Sequence, residues 1–240
     1  IPFFLYSQPE LVRKLLEYRY SILDAARENA ARMKDKGALY TWRTINGHEA
    51  SGNFLGSTVQ YHINADIAFA IYKYVEATED WEFLRDMGAE ILFETARCWA
   101  HRGAFIEARG GRYCINEVCG PDEYKPGVNN NCYTNYMAKF NLELALKAAE
   151  IVKKMYPEEF DSLRNRINLE EEEFERWQRC ADLMYLPYNE ELGIHPQDDS
   201  FLYKDPINVD EIPADEIPLV GNWHPLTIWR YQVIKQADVI

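Results

Sequence analysis

A short loop carries the residues best suited to acid–base chemistry. Asp122 and Glu123 are adjacent carboxylates in a segment whose backbone is constrained by Gly120 and Pro121. A carboxylic acid keeps its proton near neutral pH when apolar or like-charged groups surround it, so Glu123 beside Asp122 is a candidate general acid. Tyrosines near the loop could supply apolar walls and stack on a sugar ring: Tyr113, Tyr124 and Tyr133. The alternative is that both carboxylates cap the following helix.

Amide side chains follow this loop closely in the sequence. Asparagines occupy four positions just after it: Asn129, Asn130, Asn131 and Asn135. A neutral amide can both donate to and accept from a sugar hydroxyl, so Asn131 is a candidate substrate-binding residue together with Asp122 and Tyr124. The alternative is that the asparagines fill turns, where this residue type is common.

A second polar pair, Lys235 and Gln236, interrupts an otherwise apolar stretch. The spacing predicts a helix over residues 225–240, from which both side chains could point into a polar cavity and bind a ligand. An ordinary solvated helix face is the alternative. A glycine-rich segment adds a stacking surface, Trp42, and a charged group, Glu49, next to His48. Turn formation accounts for that segment equally well.

The sequence offers little support for a metal or a nucleotide cofactor. His62 and Asp66 lie four residues apart on one helical face, a spacing that can hold a metal, but no third ligand is evident. A buried, hydrogen-bonded histidine is the favoured interpretation. Cys114 and Cys119 have no matching second pair that would complete a zinc site. No phosphate-binding GxxxxGK[ST] or dinucleotide GxGxxG segment occurs. We therefore expect neither a metal nor a cofactor.

Apolar periodicity predicts an all-α chain with long functional loops. The predicted helices cover about residues 9–33, 61–77, 81–99, 133–155, 170–184 and 225–240, the first with Ser7 as its N-cap. Residues 105–108 and 112–115 flank two glycines and predict a small β-hairpin before Glu123. The intervening segments 36–59, 116–131 and 187–224 have loop composition. Long loops on a compact helical scaffold are typical of an active-site rim.

Composition excludes several classes of function. The 240 residues include 26 basic and 39 acidic side chains, a formal charge of −13, which disfavours binding to nucleic acid or anionic lipid. No apolar run approaches the length of a membrane span. The five cysteines are an odd number without a CxxC pair, which favours a reducing cytoplasmic location.

Several segments in order resemble glycoside hydrolase family 65, which contains inverting disaccharide phosphorylases acting on maltose, trehalose, kojibiose and nigerose, and related acid trehalases. The resemblance runs from Pro9 to the last residue and includes a Gly-Pro-Asp-Glu-Tyr segment that is highly specific. The matching segments are residues 42–51, 60–67, 120–124, 130–135 and 235–238.

The resemblance implies part of an (α/α)6 barrel, a ring of six helical hairpins around a central cavity. Twelve helices with their loops need roughly 350 to 450 residues. We therefore expect residues 1–240 to be a partial catalytic domain, truncated at both ends and inactive by itself. The family's N-terminal β-sandwich and its C-terminal phosphate loop are expected to lie outside it.

The resemblance also implies an activity, namely inverting phosphorolysis of an α-glucosidic disaccharide to β-glucose 1-phosphate and a free sugar. The family's general acid falls on Glu123, and its sugar-holding pair falls on Lys235 and Gln236. Inorganic phosphate is then a co-substrate, no cofactor is needed, and a homodimer is expected for the full-length protein. An inverting α-glucoside hydrolase of the trehalase type and a non-catalytic sugar-binding helical module stay open as alternatives.

Overall fold

The structure, a computed structural model, describes residues 1–52 and 54–238. It is mostly helical with one small two-stranded sheet, as the sequence predicts. The α-helices are α1 (Pro2–Ser7), α2 (Pro9–Ser21), α3 (Leu23–Arg32), α4 (Phe54–Thr58), α5 (Ile63–Thr78), α6 (Trp81–Phe83), α7 (Ala89–Arg102), α8 (Cys132–Met155), α9 (Pro157–Ile167), α10 (Glu171–Asp182), α11 (Leu219–Asn222) and α12 (Pro225–Ile228). Among these described residues, no helix is long and apolar enough to cross a membrane.

The N-terminal region differs from the single helix predicted over residues 9–33. Ser7 ends α1, where its hydroxyl donates to the carbonyl of Phe3 at 2.7 Å, so Gln8 and not Ser7 precedes α2. Pro9 occupies the first turn of α2, a position where its missing N–H has no cost. The helix then breaks at Ile22, whose φ of −107° and ψ of 13° leave the helical region and separate α2 from α3.

The core is built around α7 and α8. Nearly every residue of α7 is buried, and α8 packs against α5, α7, α9 and α10. The indole N–H of Trp99 on α7 donates to Oδ1 of Asn141 on α8 at 3.0 Å, so a polar contact inside the core is satisfied. A five-residue π-helical turn, Leu84–Gly88, joins α6 to α7, so the helix predicted from Trp81 is continuous but not regular.

The predicted β-hairpin is confirmed. Strands β1 (Ala104–Ile106) and β2 (Arg112–Cys114) pair antiparallel, with Phe105 opposite Tyr113. A 3-10 turn and two glycines at positive φ, Gly110 and Gly111, reverse the chain between the strands. The hairpin leads directly into the loop that carries Glu123.

The longest helix that was not predicted is α9. α9 follows α8 after a single residue, Tyr156, and begins with Pro157 and two acidic residues in its first turn. Those are ordinary helix-start signals in a segment, residues 156–169, for which no element was predicted. α10 begins with a capping box in which Glu170 and Glu173 satisfy each other's backbone N–H groups.

The predicted C-terminal helix over residues 225–240 is wrong. α12 ends at Ile228, and the chain to residue 238 consists of turns; residues 239 and 240 lie outside the described residues. Beyond Tyr231, two backbone donors of this segment go to distant partners instead of the preceding turn. Gln232 N–H donates to the carbonyl of Asp205 at 2.8 Å, and Lys235 N–H donates to the Asp122 carboxylate at 3.1 Å. Residues 187–224 are mainly irregular, as expected, with short 3-10 turns and α11.

Candidate active site

The loop over residues 120–124 has a fixed base. The N–H of Cys119 donates to the carbonyl of Val59 at 2.9 Å, which ties the loop to the chain preceding α5. Val118 and Val128 exchange two backbone hydrogen bonds of 3.0 and 2.9 Å, which close the base of the longer connection. The candidate acid is therefore carried by a loop that the helical scaffold positions.

Gly120 is needed at the start of this loop for steric reasons. A Cβ atom at this position would overlap with Oδ2 of Asp238 and with the side-chain amide of Asn131. Only a residue without a side chain allows the backbone to approach these two groups so closely.

Asp122 is a buried acceptor and not a solvated loop residue. It is only 1% exposed. Its Oδ2 accepts from Nε2 of Gln197 at 2.8 Å, and its Oδ1 accepts from the backbone N–H groups of Lys235 at 3.1 Å and Tyr124 at 3.3 Å. Its carboxylate thus faces protein groups and links three separate parts of the chain.

The residue that caps α8 is Asn131. Its Oδ1 accepts from both the N–H of Thr134 at 2.9 Å and the Thr134 hydroxyl at 2.8 Å. The alternative in which Asp122 and Glu123 cap this helix is therefore wrong. The Asn131 amide has a second role, since its Nδ2 donates to the carboxylate of Asp238 at 2.7 Å.

The structure brings the two most strongly predicted regions together. The Lys235 ammonium group donates a hydrogen bond to Oε2 of Glu123, and the Gln236 side-chain amide donates to the carbonyl of Pro121. The Glu123 side chain is 24% exposed and that of Lys235 is 46% exposed, so a ligand can reach both. Lys235 reaches Glu123 from an irregular C-terminal segment, whereas the sequence predicts that it lies on a helix.

The glycine-rich segment is a separate element of the candidate site. The Arg43 guanidinium stacks over the Trp42 ring at 4.6 Å, and Glu49 accepts from the N–H of Ser51 at 2.8 Å within a turn. His48 is exposed. Within residues 1–52 and 54–238, no hydrogen bond or ion pair joins this segment to the loop over residues 120–124. Trp42, His48 and Glu49 are therefore not directly connected to Glu123.

His62 and Asp66 form the hydrogen-bonded pair that the sequence favours. Nδ1 of the buried His62 lies 2.7 Å from Oδ2 of Asp66, and the Tyr133 hydroxyl donates to the other Asp66 oxygen at 2.8 Å. In the part of the chain that the structure describes, no group of three or more His, Cys, Asp or Glu side chains could hold a metal ion.

Three residues near the site were not identified as site residues from the sequence: Lys125, Gln197 and Asp238. Lys125 follows the candidate loop directly, Gln197 lies in a proline- and aspartate-rich stretch, and Asp238 follows Lys235 by three residues. Their partners are distant in the sequence, so only the folded structure reveals their contacts. A useful signal would have been the motif 235–238 itself, which contains Asp238.

Lys125 is buried close to the candidate acid, with only 3% of its surface exposed. Its ammonium group donates to the carbonyl of Tyr231 at 3.0 Å and lies 4.7 Å from the centre of the Phe201 ring. Burial, together with the neighbouring Lys204, lowers the pKa of Lys125 to about 7. This residue ties the candidate loop to the segment that carries Lys235.

The whole chain, residues 1–240, matches the model of the glycosyl hydrolase family 65 central catalytic domain. The chain belongs to glycoside hydrolase family 65. This confirms the family that the motifs resemble. It is 56% identical over its full length to alpha,alpha-trehalose phosphorylase from Thermoanaerobacter brockii and covers 31% of that protein. It is 38% identical, again over its full length, to kojibiose phosphorylase from Thermoanaerobacter brockii, and it covers 32% of that protein.

A solved structure has a similar fold. A protein assigned as a kojibiose phosphorylase, from the human microbiome, aligns with 99% of this chain at a TM-score of 0.91 and 28% identity, and 34% of that protein is covered. The chain thus spans about a third of the length of the relatives it matches.

Proposed function

We propose that the protein containing this chain cleaves an α-linked glucose disaccharide with inorganic phosphate, and that Glu123 is the general acid. The observation that supports the proposal is the hydrogen bond from the Lys235 ammonium group to the Glu123 carboxylate, which joins the two regions predicted to act on the sugar at an accessible surface. Membership of family 65 and similarity to trehalose, kojibiose and maltose phosphorylases support phosphorolysis over hydrolysis or simple sugar binding.

The proposed reaction inverts the configuration of the anomeric carbon. Glu123 donates its proton to the glycosidic oxygen as the bond between that oxygen and C1 breaks, and the acceptor sugar leaves as an alcohol. A phosphate oxygen attacks C1 from the opposite face and forms β-glucose 1-phosphate. Phosphate is already nucleophilic, so no second carboxylate is needed to activate it, whereas an inverting hydrolase needs one for water. Glu123 regains a proton before the next turnover.

Lys235 and Gln236 are proposed to hold the sugar next to Glu123. An ammonium group has three N–H donors, so Lys235 can contact Glu123 and still donate to a sugar hydroxyl. The Gln236 amide, which donates to the carbonyl of Pro121, retains an oxygen that can accept from another hydroxyl.

The remaining candidates divide into two groups by their surroundings. Tyr124 is partly exposed beside Glu123, and the segment with Trp42, His48 and Glu49 offers a stacking surface and polar groups; these four stay proposed sugar contacts. The polar groups of Asp122 and Asn131 already bind protein groups, which favours a supporting role for both.

We further propose that the chain is part of an (α/α)6 barrel. Support comes from α5 and α8, which pack together with their first turns side by side. The Tyr133 hydroxyl in the first turn of α8 donates to Asp66 in the first turn of α5. Helices that start at the same end are what an inner ring requires, with the loops before them forming the site. The β-sandwich, the phosphate loop, a homodimer and a cytoplasmic location belong to the same proposal for the full-length protein.

The test is an assay of the full-length protein on a panel of α-linked glucose disaccharides, with and without phosphate. Trehalose is the first substrate to try, because the relatives at 56% and 48% identity are trehalose phosphorylases. Phosphate-dependent formation of β-glucose 1-phosphate is the expected result. Release of glucose without phosphate would assign a hydrolase, and no turnover of any sugar would favour the binding module.

A further inference from the structure

Two carboxylates, Asp122 and Asp238, connect the loop over residues 120–124 to the C-terminal segment over residues 235–238. Asp238 accepts a hydrogen bond from the backbone N–H of Asp122, and Asp122 accepts one from the backbone N–H of Lys235 at 3.1 Å. The partners are 116 and 113 residues apart in sequence. Each segment thus supplies both a carboxylate and a backbone donor to the other.

Two amides complete this arrangement. Asn131 Nδ2 donates to the Asp238 carboxylate at 2.7 Å and to the carbonyl of Gln197 at 3.1 Å, and Gln197 Nε2 donates to Asp122 at 2.8 Å. We call the four residues Asp122, Asn131, Gln197 and Asp238 the carboxylate clasp. Because Asn131 is also the N-cap of α8, the clasp is anchored to a helix of 24 residues.

The clasp flanks the proposed chemistry on both sides. Asp122 is the residue before Glu123, and Asp238 comes three residues after Lys235. The segment between Lys235 and Asp238 is not helical, so its position depends on contacts of this kind. Buried hydrogen bonds to a charged group are among the stronger polar contacts in proteins.

We propose that Asp238 is a positioning residue that holds Lys235 and Gln236 in place against the loop of Glu123. It acts through the backbone of Asp122 and the side chain of Asn131 and does not itself contact the sugar. Its catalytic consequence rests on the proposed function, whereas the fastening of the two segments does not.

The protonation state of Asp238 bears on the clasp. Burial raises the pKa of the Asp238 carboxyl group, and the nearby Asp122 carboxylate adds to this effect, while hydrogen bonds from its partners oppose it. Cys119, Cys132 and Tyr133 are the other titratable groups that sense its charge. Protonation removes negative charge from an acceptor of two donors, so the clasp weakens as the pH falls.

The first test replaces Asp238 by asparagine in the full-length protein. Asp238→Asn keeps the shape of the side chain but cannot accept from both donors. We expect kcat to fall about 10- to 100-fold, since a small misplacement of reacting groups has effects of this size, and Tm to fall because a buried donor loses its acceptor. The matched control is Asp161→Asn, a change of the same chemistry at an exposed position on α9, which should leave kcat unchanged. An unchanged kcat for Asp238→Asn overturns the proposal.

A second test uses a double variant. Either Asp238→Asn or Asp122→Asn releases the same pair of segments, so the double variant should lose less activity than the product of the two single effects. Independent, multiplicative losses would contradict the clasp. Should Asp238→Asn fail to fold, Gln197→Met removes only one donor to Asp122, and it should lower kcat in the same direction by a smaller factor; an unchanged kcat in that variant overturns the proposal.

A third test separates positioning from a purely structural role. Asp238→Asn resembles the protonated side chain, so the ratio of wild-type to variant kcat should be largest where Asp238 is ionised and should shrink as the pH falls through the raised pKa of its carboxyl group. A ratio that does not change with pH contradicts the proposal.

The failure of the clasp can be distinguished from the failure of the proposed function by hydrogen–deuterium exchange. Peptides covering residues 119–124 and 233–238 should exchange faster in Asp238→Asn than in the wild type and in Asp161→Asn, whether or not the protein cleaves any sugar. Unchanged exchange in both peptides overturns the clasp. Faster exchange in a protein without phosphorylase activity supports the clasp and contradicts only the proposed function.

Discussion

The ammonium group of Lys235 donates a hydrogen bond to the carboxylate of Glu123 across 112 residues of sequence. Neither residue lies in a helix or strand. The contact exists because the loop over residues 120–124 and the C-terminal segment are each held by the helical scaffold and by each other. It joins two regions that the sequence marks separately, and it places the candidate acid beside the group proposed to hold the sugar.

Replacing Lys235 by methionine should impair catalysis without unfolding the protein. The change removes a charged donor but keeps most of the aliphatic chain. Because the Lys235 side chain is almost half exposed, little packing is lost. Loss of a charged hydrogen bond in the transition state corresponds to a fall of about 10- to 100-fold in kcat/KM. Steady-state kinetics of the full-length protein would measure this. Lys154→Met, at an exposed position in the last turn of α8, is the control and should retain full activity. Equal activity in both variants would exclude a role for Lys235.

Replacing Gly120 by alanine should destabilise the protein. The new methyl group would overlap with the side chains of Asp238 and Asn131, both of which are held by other hydrogen bonds. Overpacking of this kind costs about 1–3 kcal/mol. Denaturant unfolding of the full-length protein would show the loss. Gly221→Ala is the matched control, because its Cβ would meet nothing closer than Pro218 at 3.9 Å. Equal stability of the two variants would rule out the close approach at Gly120.

The burial of Lys125 predicts a pH-dependent stability. Its pKa is about 7 in the folded protein and near 10.5 when unfolded, so between these values the unfolded chain binds more protons. The contribution of Lys125 to the free energy of unfolding therefore rises with pH across this window. Lys125→Met removes that dependence. The free energy of unfolding of Lys125→Met minus that of the wild type should therefore be larger at pH 6 than at pH 10, by on the order of 1 kcal/mol or more.

The measurement is denaturant unfolding of the full-length wild type and Lys125→Met at both pH values. Asp122, Asp198 and Lys204 are the charged groups that face Lys125, and all three are unchanged in the comparison. Lys154→Met controls for the loss of an exposed lysine. A difference between wild type and Lys125→Met that is the same at pH 6 and pH 10 would show that Lys125 is not buried as the structure has it.

The sequence predicts most of the helical scaffold, because apolar residues recur at helical spacing wherever a helix packs on the core. The prediction is wrong where the local apolar pattern does not determine the backbone conformation. The break at Ile22 leaves no glycine or proline signal, and α9 is a short, largely exposed helix that follows α8 after a single residue. The predicted helix over residues 225–240 has the right apolar pattern, but distant acceptors such as Asp122 take its backbone donors. Tertiary contacts of this kind are not visible in a local pattern.

The residues of the candidate site likewise include some that the sequence identifies and some that it does not. Residues that form a dense local motif, such as Glu123 and Asn131, can be identified from the sequence alone. Gln197 cannot, because it is a single polar residue 75 positions from its partner Asp122. Asp238 lies within the segment 235–238, but its partners are 107 and 116 positions away. Asp122 is recognised in the motif, but its role as a buried acceptor depends on three distant or backbone donors and appears only in the folded chain.

The most direct test of the account compares two substrates in the Glu123→Gln variant of the full-length protein, in the presence of phosphate. A disaccharide cleaved by the wild type needs its leaving oxygen protonated, whereas α-glucosyl fluoride releases fluoride without a proton donor. We predict that the variant loses about 10²- to 10⁴-fold in kcat on the disaccharide and keeps near wild-type turnover of the fluoride. Glu117→Gln, at an exposed position in the preceding loop, should be normal on both. Equal loss on both substrates, or undiminished cleavage of the disaccharide, would contradict the assignment of Glu123 as the general acid.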